Sequence, residues 1–171
     1  SIPVFGLWNR DNNPSLLEEE IVTRLEAMEC LVTPKIEEDV LDQVKRFIGK
    51  RKDHALELLH RTEMYFPLID KIFAEYDLPT ELKFLTIVES SLVLNAKSNA
   101  GAAGLWQLMP STARILDLRV DDKVDQRLDP VVSTHAAARY FKNLFEMFND
   151  WSLVLAAYNC GEYKIKGILQ S

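Results

Sequence analysis

The sequence predicts an all-α domain, and three observations carry that prediction. Apolar residues recur at helical spacing along most of its 171 residues. No segment shows a clean two-residue alternation of apolar and polar residues. Helix start and stop signals, such as Thr33-Pro34, Asp129-Pro130 and Asp150, are joined by short connections.

The elements follow in order. The first dozen residues read as irregular. Ser15-Leu16-Leu17-Glu18 fits a capping box, in which the serine and glutamate satisfy each other's backbone amides, and Leu17, Ile21, Leu25 and Met28 follow on one face. Thr33-Pro34 breaks that helix, and Ile36, Val40, Val44, Phe47 and Ile48 mark the next. Pro67 is expected to begin a helix carrying Leu68, Ile69, Ile72, Phe73 and Tyr76, because proline is well tolerated in a first turn. Leu78-Pro79-Thr80 reads as a turn, with Thr80 the N-cap of a buried helix running from Glu81 to about Ser90. Residues 95–104 are rich in small side chains and read as a tight loop crossing other backbone. Pro110-Ser111-Thr112 starts a short helix ending near Leu118. Asp129-Pro130 caps a long one with Ala137, Tyr140, Phe141, Leu144, Phe145 and Phe148 as its inward stripe, and Asp150 caps a last helix through Trp151, Leu155 and Tyr158.

Composition narrows the function. At 47% hydrophobic and 27% charged residues the chain has the means to build a globular core. A formal net charge of −6 argues against a life on nucleic-acid phosphates, which demand clustered Lys and Arg. The densest basic stretch, Lys45 to Lys52, reads as one solvated helix face. No apolar run approaches the roughly 18 residues of a membrane span. Cys30 and Cys160 form no CxxC pair, and His54, His60 and His135 lack the i, i+4 spacing of a metal-binding helix, so neither a metal nor a redox site is expected. The two cysteines read either as a pair in an oxidising compartment or as buried free thiols. The opening Ser1-Ile2-Pro3-Val4-Phe5 has no signal-peptide pattern, and Ile168-Leu169-Gln170-Ser171 stops inside a helical-looking stretch without a cap, so the sequence reads as a piece of a longer chain.

Glu89 stands out on physical grounds. It follows Leu85-Thr86-Ile87-Val88, where an ionised carboxylate is costly to bury without a partner, and Lys83, the one cation nearby, falls on another face. Desolvation raises a carboxyl pKa, which is what a general acid near neutral pH requires. The ordinary alternative is a helix-end glutamate facing water. Three features accompany it. Gly101-Ala102-Ala103-Gly104 allows close backbone approach, Gln107 is a lone amide within Gly104-Leu105-Trp106-Gln107-Leu108-Met109-Pro110, and Ala157-Tyr158-Asn159-Cys160-Gly161 places two polar groups among small residues. Singly, Gln107 reads as a loop fastener and Asn159-Cys160-Gly161 as a helix cap.

Taken together and in order, Glu89-Ser90-Ser91, Ala96-Lys97-Ser98, Gly101 to Pro110 and Ala157 to Gly161 resemble the signatures of the soluble-lytic-transglycosylase-like (SLT) domain. Tyr65-Phe66-Pro67-Leu68-Ile69, Leu78-Pro79-Thr80-Glu81-Leu82-Lys83 and Trp106 resemble the membrane-bound lytic transglycosylase D branch, so the likeness covers about Met64 to Gly167. Cys160 stands where an Ala-like residue is usual, and Leu92 where an aromatic is common.

The resemblance implies a lysozyme-like helical domain over residues 63–171, preceded by an N-terminal helical lead-in over residues 1–62. It implies peptidoglycan glycan strands as substrate, Glu89 as catalytic acid and then base, and a cleft lined by Ser98, Gln107, Met109, Tyr158 and Asn159. No cofactor and no metal are expected. It also implies a monomer in the periplasm, with membrane association only through an anchor outside this sequence. Glycoside cleavage ordinarily uses two carboxylates. In this family one suffices, because the C6 hydroxyl of the muramic sugar is a tethered nucleophile. Two rivals stay open at this point: a hydrolytic goose-type muramidase drawing on Asp117, Asp121, Asp122 or Asp125 to activate water, and a non-catalytic glycan-binding scaffold.

Overall fold

The structure, a computed structural model, describes residues 52–170. The capping box at Ser15, the helix expected from Ile36 to Ile48, Cys30 and most of the lead-in lie outside the described residues.

Helix α1 spans Lys52–Glu75. It buries Leu58, Ile69, Ile72 and Phe73. Leu58 and Ile69 are three helical turns apart, so they share one face. Pro67 therefore does not begin a helix; it sits exposed inside this one. An interior proline forfeits a backbone hydrogen bond. Here the apolar face continues on both sides of it, and tertiary burial outweighs the local cost. Asp77, at φ 54°, ends the helix, and the Leu78 amide bonds back to the Phe73 carbonyl.

The helix expected from Glu81 to Ser90 is two pieces, a 3-10 turn over Thr80–Phe84 and α2 over Leu85–Ser90. Thr80 makes no side-chain cap, and Pro79 holds the cap position. Only Leu82 and Thr86 are fully buried, while Val88 is 79% exposed. The segment lies at the edge of the core rather than inside it. Lys83 donates to both oxygens of Asp70 at 2.7 and 2.8 Å, fastening the 3-10 turn to α1.

Helix α3 covers Pro110–Ile115 and closes earlier than its sequence suggests. Asp117 turns left-handed at φ 60°, and the Leu118 amide bonds back to Ala113. A 3-10 turn over Gln126–Leu128 leads into α4, Pro130–Phe148, whose first amides are capped by Asp129 as expected. Ala137, Phe141 and Leu144 of its stripe are wholly buried, and Tyr140, Phe145 and Phe148 pack partly buried against the core. Asp150 caps α5, Trp151–Cys160, and Gly161, at φ 90°, joins it to α6, Glu162–Leu169.

Helix α4 packs against α1 and α5, and α6 against α5. At the centre, Phe73 stacks on Trp106 with ring centroids 5.5 Å apart, and Phe141 meets Trp106 edge-on at 5.8 Å. The buried Trp106 indole donates to Thr134 Oγ1 at 2.9 Å, so its one polar atom is satisfied. The described residues form no strand beyond isolated bridges, two of which, Lys97 to Ala103 and Ala103 to Leu108, tie the loop between α2 and α3. The domain is all-α, as the periodicity predicts. Among the described residues, no helix is long and apolar enough to cross a membrane.

Candidate active site

Glu89 occupies the last turn of α2, which ends in an unusual way. Ser91 and Leu92 are consecutive left-handed residues, at φ 51° and 57°, and Leu92 is buried. Their amides bond back to Ile87 and Thr86, so the chain leaves α2 by a sharp turn that plants Leu92 in the core. Ser90 Oγ lies 2.9 Å from the Leu105 carbonyl and 3.0 Å from that of Thr86, pinning the helix end to the glycine-rich loop. Glu89 is thus held firmly from both sides through its backbone. Its carboxylate, by contrast, takes no hydrogen bond or ion pair among the described residues, and Lys83 is committed to Asp70. Partial burial pushes the Glu89 carboxyl above its ordinary 4.5. Desolvation without a compensating donor has that effect, because it penalises the charged form.

Tyr158, from α5, lies within electrostatic range of Glu89. Its phenol is held well above its ordinary value by burial first and then by the Glu89 and Tyr140 charges. The Tyr158 hydroxyl donates to the Trp106 carbonyl at 2.6 Å, and its ring stacks on Phe141 at 4.8 Å. Tyr158 is therefore an extension of the core aromatic cluster toward Glu89. Tyr140 stands 5.7 Å from the Tyr158 ring and donates to Glu162 at 3.1 Å.

The loop between α2 and α3 carries three of the expected site residues. Gln107 is half-buried at φ 45°, and its Nε2 donates to the carbonyls of Gly104 and Ala96 at 2.9 and 3.2 Å. Its amide nitrogen is a loop fastener, the ordinary reading of its sequence setting, while its side-chain oxygen takes no hydrogen bond within the described residues. Ser98 is exposed, and its Oγ accepts from the Ala102 amide at 3.0 Å. Met109 is 39% exposed at the N-terminal boundary of α3. Asn159 is exposed beside Tyr158, with no hydrogen bond to its side chain among the described residues. Cys160 next to it is a free thiol and exposed too, so the reading of it as a buried thiol does not hold.

One residue of this region escapes sequence reasoning. Arg127 is buried, and Asp125, one of the carboxylates open to a water-activating role, is its bidentate partner. The Arg127 guanidinium holds Asp125 below the usual carboxylate range. Asp121 is held down to about 2 by Arg119 and by the amides of Lys123 and Val124 in its own turn. An Asp-x-Arg spacing on a turn has no periodicity that would have announced such a pair. His135 shares a 3.2 Å hydrogen bond with the Tyr76 hydroxyl.

A helical domain with a half-buried carboxyl group that has no partner among the described residues, set beside a tyrosine and a glycine-rich loop, defines a candidate acid–base site. A sequence model of the Transglycosylase SLT domain family matches residues 68–170, and the chain belongs to that family. It is 38% identical over 130 residues to the membrane-bound lytic murein transglycosylase D of Escherichia coli (strain K12), a match covering 75% of this chain and 29% of that protein. It is 39% identical over 92 residues to the peptidoglycan transglycosylase gp16 of Escherichia phage T7, covering 53% of this chain and 7% of that one. Among solved structures, an inactive mutant of the lytic transglycosylase Slt of Pseudomonas aeruginosa aligns with 24% identity and a TM-score of 0.47, over 75% of this chain and 20% of that chain. The chain thus spans less than a third of the curated Escherichia coli relative's length.

Proposed function

We propose that this chain is the catalytic part of a peptidoglycan lytic transglycosylase, cutting the β-1,4 bond between N-acetylmuramic acid and N-acetylglucosamine. The observation that carries the reading is Glu89: a half-buried carboxyl group with a raised pKa and no hydrogen-bond or ion-pair partner among the described residues, at the position to which the resemblance to the SLT motif assigns the catalytic acid. In its protonated form Glu89 gives its proton to the glycosidic oxygen as the C1–O bond breaks. The carboxylate left behind takes the proton of the C6 hydroxyl on the same muramic sugar, whose oxygen attacks C1 and closes a 1,6-anhydro ring. Proton and bond counts balance, Glu89 returns to its starting form, and no water is consumed. Tethering the nucleophile takes the place of a second carboxylate.

Ser98, Gln107, Met109, Tyr158 and Asn159 line the cleft in this reading. The Gln107 side-chain oxygen and the Asn159 carboxamide are open to sugar hydroxyls, and Tyr158 walls the site beside Glu89. In this reading the lysozyme-like catalytic unit begins near residue 63, within α1, and takes in α2 to α6. The names of the relatives favour a cell-envelope setting, and we assign the protein to the periplasm as a monomer, anchored to the outer membrane through sequence outside this chain. The muramidase alternative loses support from Asp125 and Asp121, whose carboxylates are engaged by arginines and their own turns.

Replacing Glu89 with Gln keeps the shape and removes the proton. The expected result is loss of glycan cleavage in a folded protein that still binds glycan. Turnover within about tenfold of wild type, or about 1.4 kcal/mol in barrier, would remove Glu89 from this role.

A further inference from the structure

Arg127 is the one arginine or lysine buried among the described residues, at 6% exposure, and its guanidinium makes four hydrogen bonds. Nε and Nη2 donate to the two oxygens of Asp125 at 2.9 and 2.8 Å. Nη1 donates to the carbonyls of Gly101 and Leu108 at 2.7 and 2.9 Å. Those two carbonyls bracket the glycine-rich loop, so a single nitrogen draws its ends together. The backbone of Arg127 meets the same loop: a Cβ built on Gly104 would lie 1.9 Å from the Arg127 carbonyl oxygen.

Between the bracketing carbonyls lie the groups on which the site depends. Gln107 is held there in a left-handed conformation, and the Trp106 carbonyl accepts the hydroxyl of Tyr158. Leu108 also exchanges backbone hydrogen bonds with Ala103 at 3.2 and 3.1 Å, so the clamp acts on the bridge itself. Ser98 is paired through its backbone and its hydroxyl with Ala102, next to the clamped Gly101.

We propose that Arg127, oriented by Asp125, is a positioning residue that sets the glycine-rich loop, and through it Gln107 and Tyr158, at the working distance from Glu89. The inference rests on the transglycosylase reading for its effect on turnover, while the clamp itself is independent of it. Only a guanidinium meets the geometry, since its planar fork serves a carboxylate on one side and two carbonyls on the other; an ammonium is a single point donor.

The test compares wild type, Arg127→Lys and Asp125→Asn in three measurements: thermal unfolding, hydrogen exchange at the Ala103 and Leu108 amides, and kcat and KM for anhydro-end formation on purified glycan strands. The expected variants fold with α4 and α5 amides protected, exchange at Ala103 and Leu108 about tenfold faster or more, and lose about tenfold to a hundredfold in kcat, with KM changed less than about threefold. Unchanged exchange at both amides would overturn the clamp. Faster exchange with kcat intact would make Arg127 merely structural and overturn the positioning role, as would failure of both variants to fold. Should wild type cut no glycan, the transglycosylase reading falls, and exchange at Ala103 and Leu108 still decides whether Arg127 sets the loop.

Discussion

The Tyr158 hydroxyl donates to the backbone carbonyl of Trp106 at 2.6 Å, joining two polypeptide segments 52 residues apart beside Glu89. Trp106 is anchored below by Phe73, Phe141 and Thr134, so the bond transmits the order of the core to the wall of the site. Tyr158 has no hydrogen left to give Glu89, and no other described residue supplies one.

Tyr158→Phe removes this bond and leaves the Trp106 carbonyl unpaired. The expected cost is about 1–3 kcal/mol in urea unfolding, with turnover per folded molecule reduced as well. A variant as stable as wild type would mean that the Trp106 carbonyl finds another donor at no cost.

Gly104 and Gly101 both have positive φ, yet their substitutions are expected to differ. A Cβ at Gly104 collides with the Arg127 backbone at 1.9 and 2.8 Å, whereas at Gly101 its nearest neighbour is Pro110 Cγ at 3.9 Å. Gly101→Ala is expected to cost about 1–2 kcal/mol from its backbone conformation alone. Gly104→Ala is expected to cost a further 1–3 kcal/mol or so through overpacking. Equal unfolding midpoints for the two variants would refute the close approach.

The raised pKa of Glu89 makes a stability statement. Its folded pKa lies above the ordinary 4.5, so between the two values the unfolded chain releases a proton that the folded one keeps. Stability from this group is fully present below about pH 4.5 and is lost as pH rises through the folded pKa. Glu89→Gln, neutral throughout, is therefore expected to be more stable than wild type at pH 7 and indistinguishable from it near pH 3.5. Urea melts at the two pH values decide the matter, and a variant less stable at pH 7 would contradict the desolvation argument. Such a gain on losing the functional group is the expected trade between site and stability.

The parts of this molecule that obey helical periodicity were legible in the sequence. The α4 stripe and its Asp129 cap, the Asp150 cap and the core-facing residues of α1 follow from spacing and cap chemistry. Pro67 misled because a local preference for first turns was outweighed by burial of residues on either side of it. The stretch before Glu89 is not the buried helix its apolar content suggests; it breaks into a 3-10 turn and a short helix with Val88 facing outward. Glu89 itself was visible as an unpaired acid in an apolar stretch. The clamp on the glycine-rich loop was not, because the Arg127 contacts with Gly101 and Leu108 span 26 and 19 residues of chain with no repeating pattern.

The most direct measurement is of the product. Purified peptidoglycan is digested with this chain in heavy-oxygen water, and the fresh muramic ends are resolved by mass. With the C6 hydroxyl as nucleophile and Glu89 as the single acid and base, solvent never attacks C1. Every new end is then expected to be an anhydromuramic residue, one water lighter than a hydrolysed end, unlabelled and closed to borohydride reduction. Heavy oxygen in most fresh ends, with reducible muramic acid, would contradict the account and identify water as the nucleophile.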